Sequence, residues 1–154
     1  MYEVRTILCP MDFSAHSRAA LSLAASLARD HDARLIVVHV MPPPLAYDEV
    51  ATPLPYSFYE AKVRDELEGS GIDDVPVAIT LVEGDPAGEI LRVAEETSAD
   101  LIVMGTHGRT GLSRALMGSV AETVLRKAGC PVLTVKGRAA MQARDACSRL
   151  SMVS

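Results

Sequence analysis

Short apolar runs alternate along this chain with amphipathic stretches of helical period. The runs predict five buried strands, at residues 5–10, 34–40, 75–82, 101–105 and 130–136. Between them, apolar residues three and four positions apart predict four helices, at about residues 14–30, 58–68, 86–97 and 119–128. Continuous apolar runs are typical of parallel strands covered on both faces. The pattern therefore predicts an α/β fold, a five-stranded parallel sheet sandwiched by helices with right-handed crossovers.

The length of the chain and the breaks in its pattern favour one domain. The chain has 154 residues, and we expect residues 1–137 to form the domain and residues 138–154 to form a C-terminal tail. The stretch 41–57 contains five prolines, at positions 42, 43, 44, 53 and 55. Because proline removes a backbone donor, this stretch is expected to be an exposed, irregular excursion.

The stretch 101–120 carries the strongest candidate chemistry. An apolar strand there ends at Gly105, and the chain then becomes polar and rich in glycine. Without a Cβ, Gly105 and Gly108 allow main-chain N–H groups to approach an anion closely. Ser119 is expected to cap the helix that follows Gly118. The free N–H groups at the start of such a helix favour phosphate binding.

Composition excludes several classes of function. The net charge is −5, from 15 Lys and Arg against 20 Asp and Glu, and no long basic run is present. A nucleic-acid partner is therefore not expected. The sequence has no secretory signal pattern and no apolar run near the ~18 residues that span a bilayer. These features predict a cytoplasmic protein without membrane contact.

The cysteines and histidines do not form recognisable metal or disulfide patterns. The chain has three cysteines without C-x-x-C spacing, so neither a disulfide framework nor a zinc site is expected. We expect Cys9 and Cys130, in apolar runs, to be inert. His16, His31 and His39 share no metal-ligand spacing, so no side-chain metal site is predicted.

The spacing of the glycines resembles the pattern of one protein family. Gly105-x-x-Gly108, nine further residues and then Gly118-Ser119 match the nucleotide-binding pattern of the universal stress proteins. The spacing matches neither the Walker A pattern, because no Gly-Lys-Ser/Thr triplet is present, nor the dinucleotide pattern G-x-G-x-x-G. The resemblance covers about residues 3–136. It implies a flavodoxin-like sheet, similar to the adenine nucleotide alpha hydrolases, with strand order 3-2-1-4-5 and ATP in the crevice between strands one and four.

The resemblance implies roles on the nucleoside side of the crevice. Pro10, Met11 and Asp12 look like the end of the family's first strand, where a carboxylate meets the ribose. A carboxylate accepts hydrogen bonds from ribose hydroxyls without needing a metal. The residues that the resemblance places beside the adenine are Val40, Met104 and Gly105.

The resemblance implies phosphate contacts on the other side of the crevice. Gly108, Gly118 and Ser119 match the family's phosphate-binding residues. The neighbours expected to contribute are His107, Arg109 and Val120. Mg²⁺ is expected beside the triphosphate, because the loop offers few cations to neutralise its charge.

At the level of function, the resemblance implies an ATP-binding protein with a regulatory or sensor role in the stress response. A homodimer through the fifth strand, Pro131 to Val135, is expected because an apolar edge strand invites pairing with a copy of itself. The identity of a regulatory protein partner and the choice between ATP and AMP stay open. Two departures from the family pattern are the proline-rich segment with its short second helix, and the tail beyond residue 137.

Two alternative functions also stay open. One is a slow ATPase or nucleotidyl-handling enzyme on the same scaffold. Such enzymes carry an SGGxDS-type loop where this chain reads PMDFSAHS, and no general base is placed beside the glycines, so no catalytic residue is assigned. The other is a dimerising interaction module that does not bind nucleotide.

Overall fold

A computed structural model describes residues 1–43, 53–108 and 117–137 of the chain. Most of the proline-rich segment, Arg109 and the tail 138–154 lie outside the described residues. The elements, in chain order, are β1 (Thr6–Pro10), α1 (Ala15–His31), β2 (Arg34–Met41), α2 (Tyr56–Glu68), β3 (Val77–Glu83), α3 (Pro86–Glu96), β4 (Leu101–Gly105), α4 (Ser119–Lys127) and β5 (Val132–Val135).

The five strands form one parallel sheet in the order β3-β2-β1-β4-β5. The predicted fold class and the strand order implied by the resemblance are therefore confirmed. β1 lies at the centre, where Ile7 is in register with Leu35 of β2 and Leu101 of β4. β3 and β5 form the two edges. Within the described ranges, no helix has both the length and the apolar character needed to cross a membrane.

Each predicted element is present, with ends that shift by a few residues for physical reasons. β5 begins at Val132 rather than at Cys130. Pro131 has no N–H to give to the ladder, although its carbonyl accepts a hydrogen bond of 3.0 Å from Ile102. α1 begins after Ser14 as predicted, and the Ser14 hydroxyl accepts a hydrogen bond of 3.1 Å from the Ser17 N–H.

Helices cover both faces of the sheet and create two apolar cores. On one face, α1 and α2 pack against the strands through residues such as Ala20, Leu21 and Val63. On the other face, α3 and α4 contribute Ile90 and Val124. Because β1, β2 and β4 are buried on both faces, their runs are apolar without alternation.

Hydrogen bonds of Asp100 join the start of β1 to the start of β4. Its Oδ2 atom accepts hydrogen bonds of 2.9 Å from the backbone N–H groups of both Arg5 and Thr6. The Asp100 N–H in turn donates to the Thr6 carbonyl at 2.9 Å. These bonds fix the amino end of the two central strands, the end opposite the candidate site described next.

Candidate functional site

A crevice opens where the central strands β1 and β4 end. The connection from β1 leads to α1 on one face, and the connection from β4 leads to α4 on the other face. In open parallel sheets, ligands bind at such a point, beyond the carboxyl ends of strands whose connections diverge. The turn after β1 and the glycine-rich segment after β4 therefore form the two walls of the candidate site.

The turn after β1 holds Asp12 in a fixed orientation. Its Oδ1 atom accepts a hydrogen bond of 3.0 Å from the Ser14 N–H, which is the geometry of an Asx turn. The preceding residue, Met11, has a buried side chain, and its N–H donates to the Val38 carbonyl at 2.8 Å. Phe13 adopts a left-handed conformation with φ 66°, which lets the chain turn sharply into α1.

The other Asp12 carboxylate oxygen faces the glycine-rich segment. A Cβ placed on Gly108 would lie 2.8 Å from Asp12 Oδ2, closer than real Cβ atoms come to other atoms. Only glycine at position 108 therefore permits the carboxylate to stay where it is. The structure thus brings together the predicted ribose side and the predicted phosphate side of the crevice.

Gly118 closes the second wall at the start of α4. Its N–H donates to the Thr106 carbonyl at 2.6 Å, and a Cβ there would lie only 3.2 Å from the same oxygen. The expectation that Ser119 caps α4 is wrong: Gly118 is the N-cap, and Ser119 is the first residue of the helix. The reason is the close contact between Gly118 and the Thr106 carbonyl. Because of this contact, the chain turns into the helix at residue 118, one residue before the predicted cap.

The first turn of α4 differs from those of α1 and α3. Ser14 caps α1 and Asp85 caps α3, each through a side-chain oxygen. Within the part of the chain that the structure describes, no side chain makes such a bond at α4. The N–H groups at the start of α4, among them those of Ser119 and Val120, are thus not capped by a side chain. Such groups favour an anion, which the positive end of the helix dipole attracts as well.

Gly105 has a structural requirement of its own. A Cβ at this position would lie 2.7 Å from the Cβ and 2.8 Å from the carbonyl carbon of His16. Glycine therefore lets α1 pack directly on the end of β4. Sequence spacing pointed to a ligand contact here, and it could not reveal this helix contact, because His16 and Gly105 are far apart along the chain.

One apolar surface lines the α3 and α4 side of the crevice. Val40 near the end of β2 and Met104 near the end of β4 pack in the same cluster as Val120 of α4. Met104 is buried, whereas Val40 is partly exposed. This arrangement places the predicted adenine contacts on one face of the sheet. They lie beside the wall of the crevice that contains Gly108 and Gly118, called the glycine wall below.

A histidine and aromatic cluster supports the turn from the opposite face. His39 Nδ1 lies 2.7 Å from the Met11 carbonyl oxygen. The Phe13 ring lies 4.7 Å from the His39 ring, between centroids, and Lys62 Nζ is 4.2 Å from the Phe13 ring centroid. Sequence reasoning missed this support, because the signal is a contact between separate elements rather than a spacing.

Thr106, a polar residue of the glycine-rich segment whose hydroxyl the sequence offers as a donor, makes contacts that the sequence did not predict. Its side chain is buried, and its N–H donates to the Val135 carbonyl of β5 at 3.0 Å. Its hydroxyl oxygen lies 3.0 Å from His107 Nδ1 and 3.4 Å from His16 Nδ1. The two imidazole rings are 5.2 Å apart, between centroids. The structure thus brings the Thr106 hydroxyl close to two histidine rings, that of His107 beside it and that of His16 in α1.

The titratable groups near the sheet do not suggest nucleophilic or metal chemistry. Burial raises the pKa of the Cys9 thiol to about 12, so this cysteine stays protonated at neutral pH. Burial, followed by the charge of Asp100, also raises the pKa of Cys130. In the three described ranges, no group of three or more His, Cys, Asp or Glu residues is placed to hold a metal ion.

Comparison with known proteins relates this geometry to one family. The sequence profile of the universal stress protein family matches residues 3–136. A universal stress protein of Methanocaldococcus jannaschii is 39% identical over 142 residues, which cover 86% of this chain and 82% of that protein.

Two similar solved structures contain adenine nucleotides. A universal stress protein in complex with cAMP has a TM-score of 0.67 and 26% identity, over 88% of this chain and 98% of that chain. The universal stress protein from Archaeoglobus fulgidus in complex with dAMP has a TM-score of 0.60 and 25% identity, over 88% of this chain and 100% of that chain.

Proposed function

This chain belongs to the universal stress protein family, and from that premise we propose that it binds ATP in the crevice between β1 and β4. One observation carries the proposal: the Asp12 carboxylate lies directly against Gly108, beside the α4 N-terminus that no described side chain caps. A carboxylate suits sugar hydroxyls, and uncapped helical N–H groups suit phosphate. The two sets of groups are adjacent, as the two ends of a nucleoside phosphate require.

Each predicted residue has a role in this proposal. Asp12 accepts from the ribose, with Pro10 and Met11 shaping the turn that carries it. The adenine lies against the apolar surface of Val40 and Met104, at the end of the strand that Gly105 terminates. The backbone N–H groups that bind phosphate belong to Gly108, Ser119 and Val120, with His107 and Arg109 as neighbouring contacts. Gly118 shapes this side of the site, since its own N–H donates to the Thr106 carbonyl.

The ligands of the two similar structures support an adenine nucleotide. Both cAMP and dAMP contain adenine, a pentose and one phosphate, and each was solved in a member of the same family. A triphosphate extends the same chemistry by two phosphates along the glycine wall. Mg²⁺ would be held through phosphate oxygens and water, since the described residues provide no cluster of metal-binding side chains.

The role that fits this site is regulatory. Nucleotide binding would change the loops at the crevice and so the surface that a partner protein meets. Asp12 and His107, the titratable groups beside Gly108, are assigned here to ribose and phosphate binding rather than to proton transfer, so any hydrolysis of ATP is expected to be slow. We propose the cytoplasm, where ATP is available, as the compartment.

A homodimer through β5 is also part of the proposal. β5 is an edge strand, and its Leu133 is 38% exposed. An exposed apolar edge strand pairs readily with a second copy through unused backbone donors and acceptors.

The first experiment is to denature the purified protein and identify released small molecules by mass spectrometry. ATP, AMP and adenosine are then titrated by calorimetry, with Mg²⁺ and with EDTA. Release of ATP, or micromolar affinity that improves with Mg²⁺, supports the proposal. Absence of nucleotide and of binding at about millimolar concentration, worth only ~4 kcal/mol, favours the dimerising module instead.

The matched variants are Gly108→Ala and Gly129→Ala. A methyl group at position 108 must displace the Asp12 carboxylate, which is the flexible end of a side chain, so the fold is expected to persist. We expect ATP affinity to fall about tenfold, or ~1.4 kcal/mol. A Cβ at Gly129 meets no atom within 4 Å, so this control should bind normally. Equal affinities in the two variants would contradict the assigned site.

A further inference from the structure

We propose that Thr106 is a positioning residue of the nucleotide site, whose hydroxyl holds His107 as a hydrogen-bond donor for phosphate. This inference rests on the proposed nucleotide binding. It adds a residue that binds no ligand atom itself and acts through its neighbour.

The backbone of Thr106 is fixed from two sides. Its N–H donates to the Val135 carbonyl at 3.0 Å, and its carbonyl accepts from the Gly118 N–H at 2.6 Å. The first bond joins it to the end of β5, and the second joins it to the N-cap of α4. With 3% of its surface exposed, the residue has no room to reorient. The hydroxyl therefore stays in one place relative to the end of β5 and the start of α4.

The hydrogen position on His16 follows from its partner. The Gly137 N–H donates to His16 Nδ1 at 3.0 Å, so that nitrogen carries a lone pair and no hydrogen. A neutral imidazole nitrogen has a single lone pair in the ring plane, and Gly137 already occupies it. The Thr106 hydroxyl, at 3.4 Å from the same nitrogen, is therefore left with a poor acceptor there.

Of the two histidine nitrogens, His107 Nδ1 is therefore the better acceptor for the Thr106 hydroxyl hydrogen. The distance from Thr106 Oγ1 to His107 Nδ1 is 3.0 Å, the shorter of the two histidine contacts. When the hydroxyl donates to Nδ1, the hydrogen of the neutral His107 ring lies on Nε2. This tautomer presents an N–H donor, the group that a phosphate oxygen requires, beside Gly108.

A near-isosteric pair of variants tests the inference. Thr106→Val keeps the shape of the side chain and deletes the hydroxyl, and Thr106→Ser restores the hydroxyl. We expect Thr106→Val to weaken ATP binding three- to tenfold and to leave adenosine affinity unchanged, because only the phosphate contact is lost. Thr106→Ser should bind ATP within twofold of the parent protein. Equal losses for ATP and adenosine, or no loss for either, would overturn the role of Thr106.

A second measurement needs neither a variant nor a nucleotide. Two-bond ¹H–¹⁵N correlation spectra of the histidine rings distinguish a protonated ring nitrogen from an unprotonated one. In the parent protein at pH 8, we expect His107 to carry its hydrogen on Nε2, and His16 to have an unprotonated Nδ1. A His107 hydrogen on Nδ1 would overturn the inference even if ATP binds. Failure of the parent protein to bind ATP, with both tautomers as expected, would instead count against the proposed function.

Discussion

Cys9 lies in the middle of the central strand, and its side chain has no exposed surface. Burial raises its pKa from the ordinary value of 9.0 to about 12. At a pH between these two pKa values, the thiol of the unfolded chain has lost its proton, whereas the thiol of the folded chain retains it. Because the folded state then binds more protons, its stability falls as the pH rises.

This difference gives a prediction for alkaline pH. From pH 9 upward, the free energy of unfolding of the parent protein should fall by as much as ~1.4 kcal/mol per pH unit through this thiol. Below pH 9 the same contribution is fully present. Urea unfolding at several pH values measures it. In Cys9→Ala this part of the slope should be absent, although the variant is less stable at neutral pH because it leaves a small cavity.

A control variant separates Cys9 from the other groups that titrate at alkaline pH. Cys130 is partly exposed, and its pKa is raised as well. Cys130→Ala should therefore remove only the contribution of Cys130 and keep the decline that Cys9 causes. If Cys9→Ala loses stability with pH as steeply as the parent protein does, the buried thiol is not the cause.

The individual glycines show how far residue patterns could be interpreted from the sequence. The spacing of Gly108 and Gly118 pointed to close backbone approach, and both positions lack room for a Cβ. The atoms that make glycine necessary were not predictable. At Gly118 the obstacle is the Thr106 carbonyl, and at Gly105 it is His16 of α1. The spacing of the glycines shows which positions lack a side chain. The atoms that occupy the space beside each glycine come from other parts of the fold, so only the structure identifies them.

At the scale of the elements, α1 ends in a conformation that suits glycine better than the residue present. Asp32, its C-cap, is left-handed with φ 53°, and its N–H bonds to the carbonyls of Ala28 and Arg29. A Cβ in this region is strained, and a carboxylate at the negative end of the helix dipole is unfavourable.

Asp32→Gly should therefore stabilise the protein, by about 0.5–1 kcal/mol. Asp30→Gly, two residues earlier and inside the helix, is the matched control. It should destabilise by about 1 kcal/mol, because glycine lacks helix propensity. Chemical unfolding of the two variants compares them directly, and a loss of stability in both would refute the strain at Asp32.

Predictions for elements succeeded where the signal is local. Ser14 correctly predicted the start of α1, and the apolar run 101–105 correctly predicted both ends of β4. Local signals failed where a contact with another part of the chain determines where an element begins. At the start of α4, for example, Ser119 was expected to be the cap, but the cap is Gly118. The strand order depends on which strands meet across the whole chain, so periodicity could not supply it and the family resemblance did.

At the scale of the whole molecule, the proposed dimer depends on the edge strand β5. β5 is short, and Leu133 on it is 38% exposed, which supports the proposed dimer. Leu133→Lys places a charge on this edge and should convert a dimer to a monomer, or weaken dimerisation at least tenfold. Sedimentation equilibrium measures the mass of each variant.

Leu54→Lys is the control for this experiment. Leu54 is 49% exposed and precedes α2, away from β5. The control should keep the mass of the parent protein. A monomeric parent, or a Leu133→Lys variant that remains dimeric, would rule out association through β5.

The hydrogen bonds of Asp100 have a practical consequence for attaching this protein to a surface. They hold Arg5 and Thr6 at the amino end of the sheet, whereas Asp12 and Gly108 lie beyond its carboxyl end. The five residues of β1 separate the two ends by roughly 16 Å at about 3.3 Å per residue. A fluorophore or tether added before Tyr2 would therefore leave the crevice open to solvent, and an immobilised sample could report nucleotide exchange without blocking it.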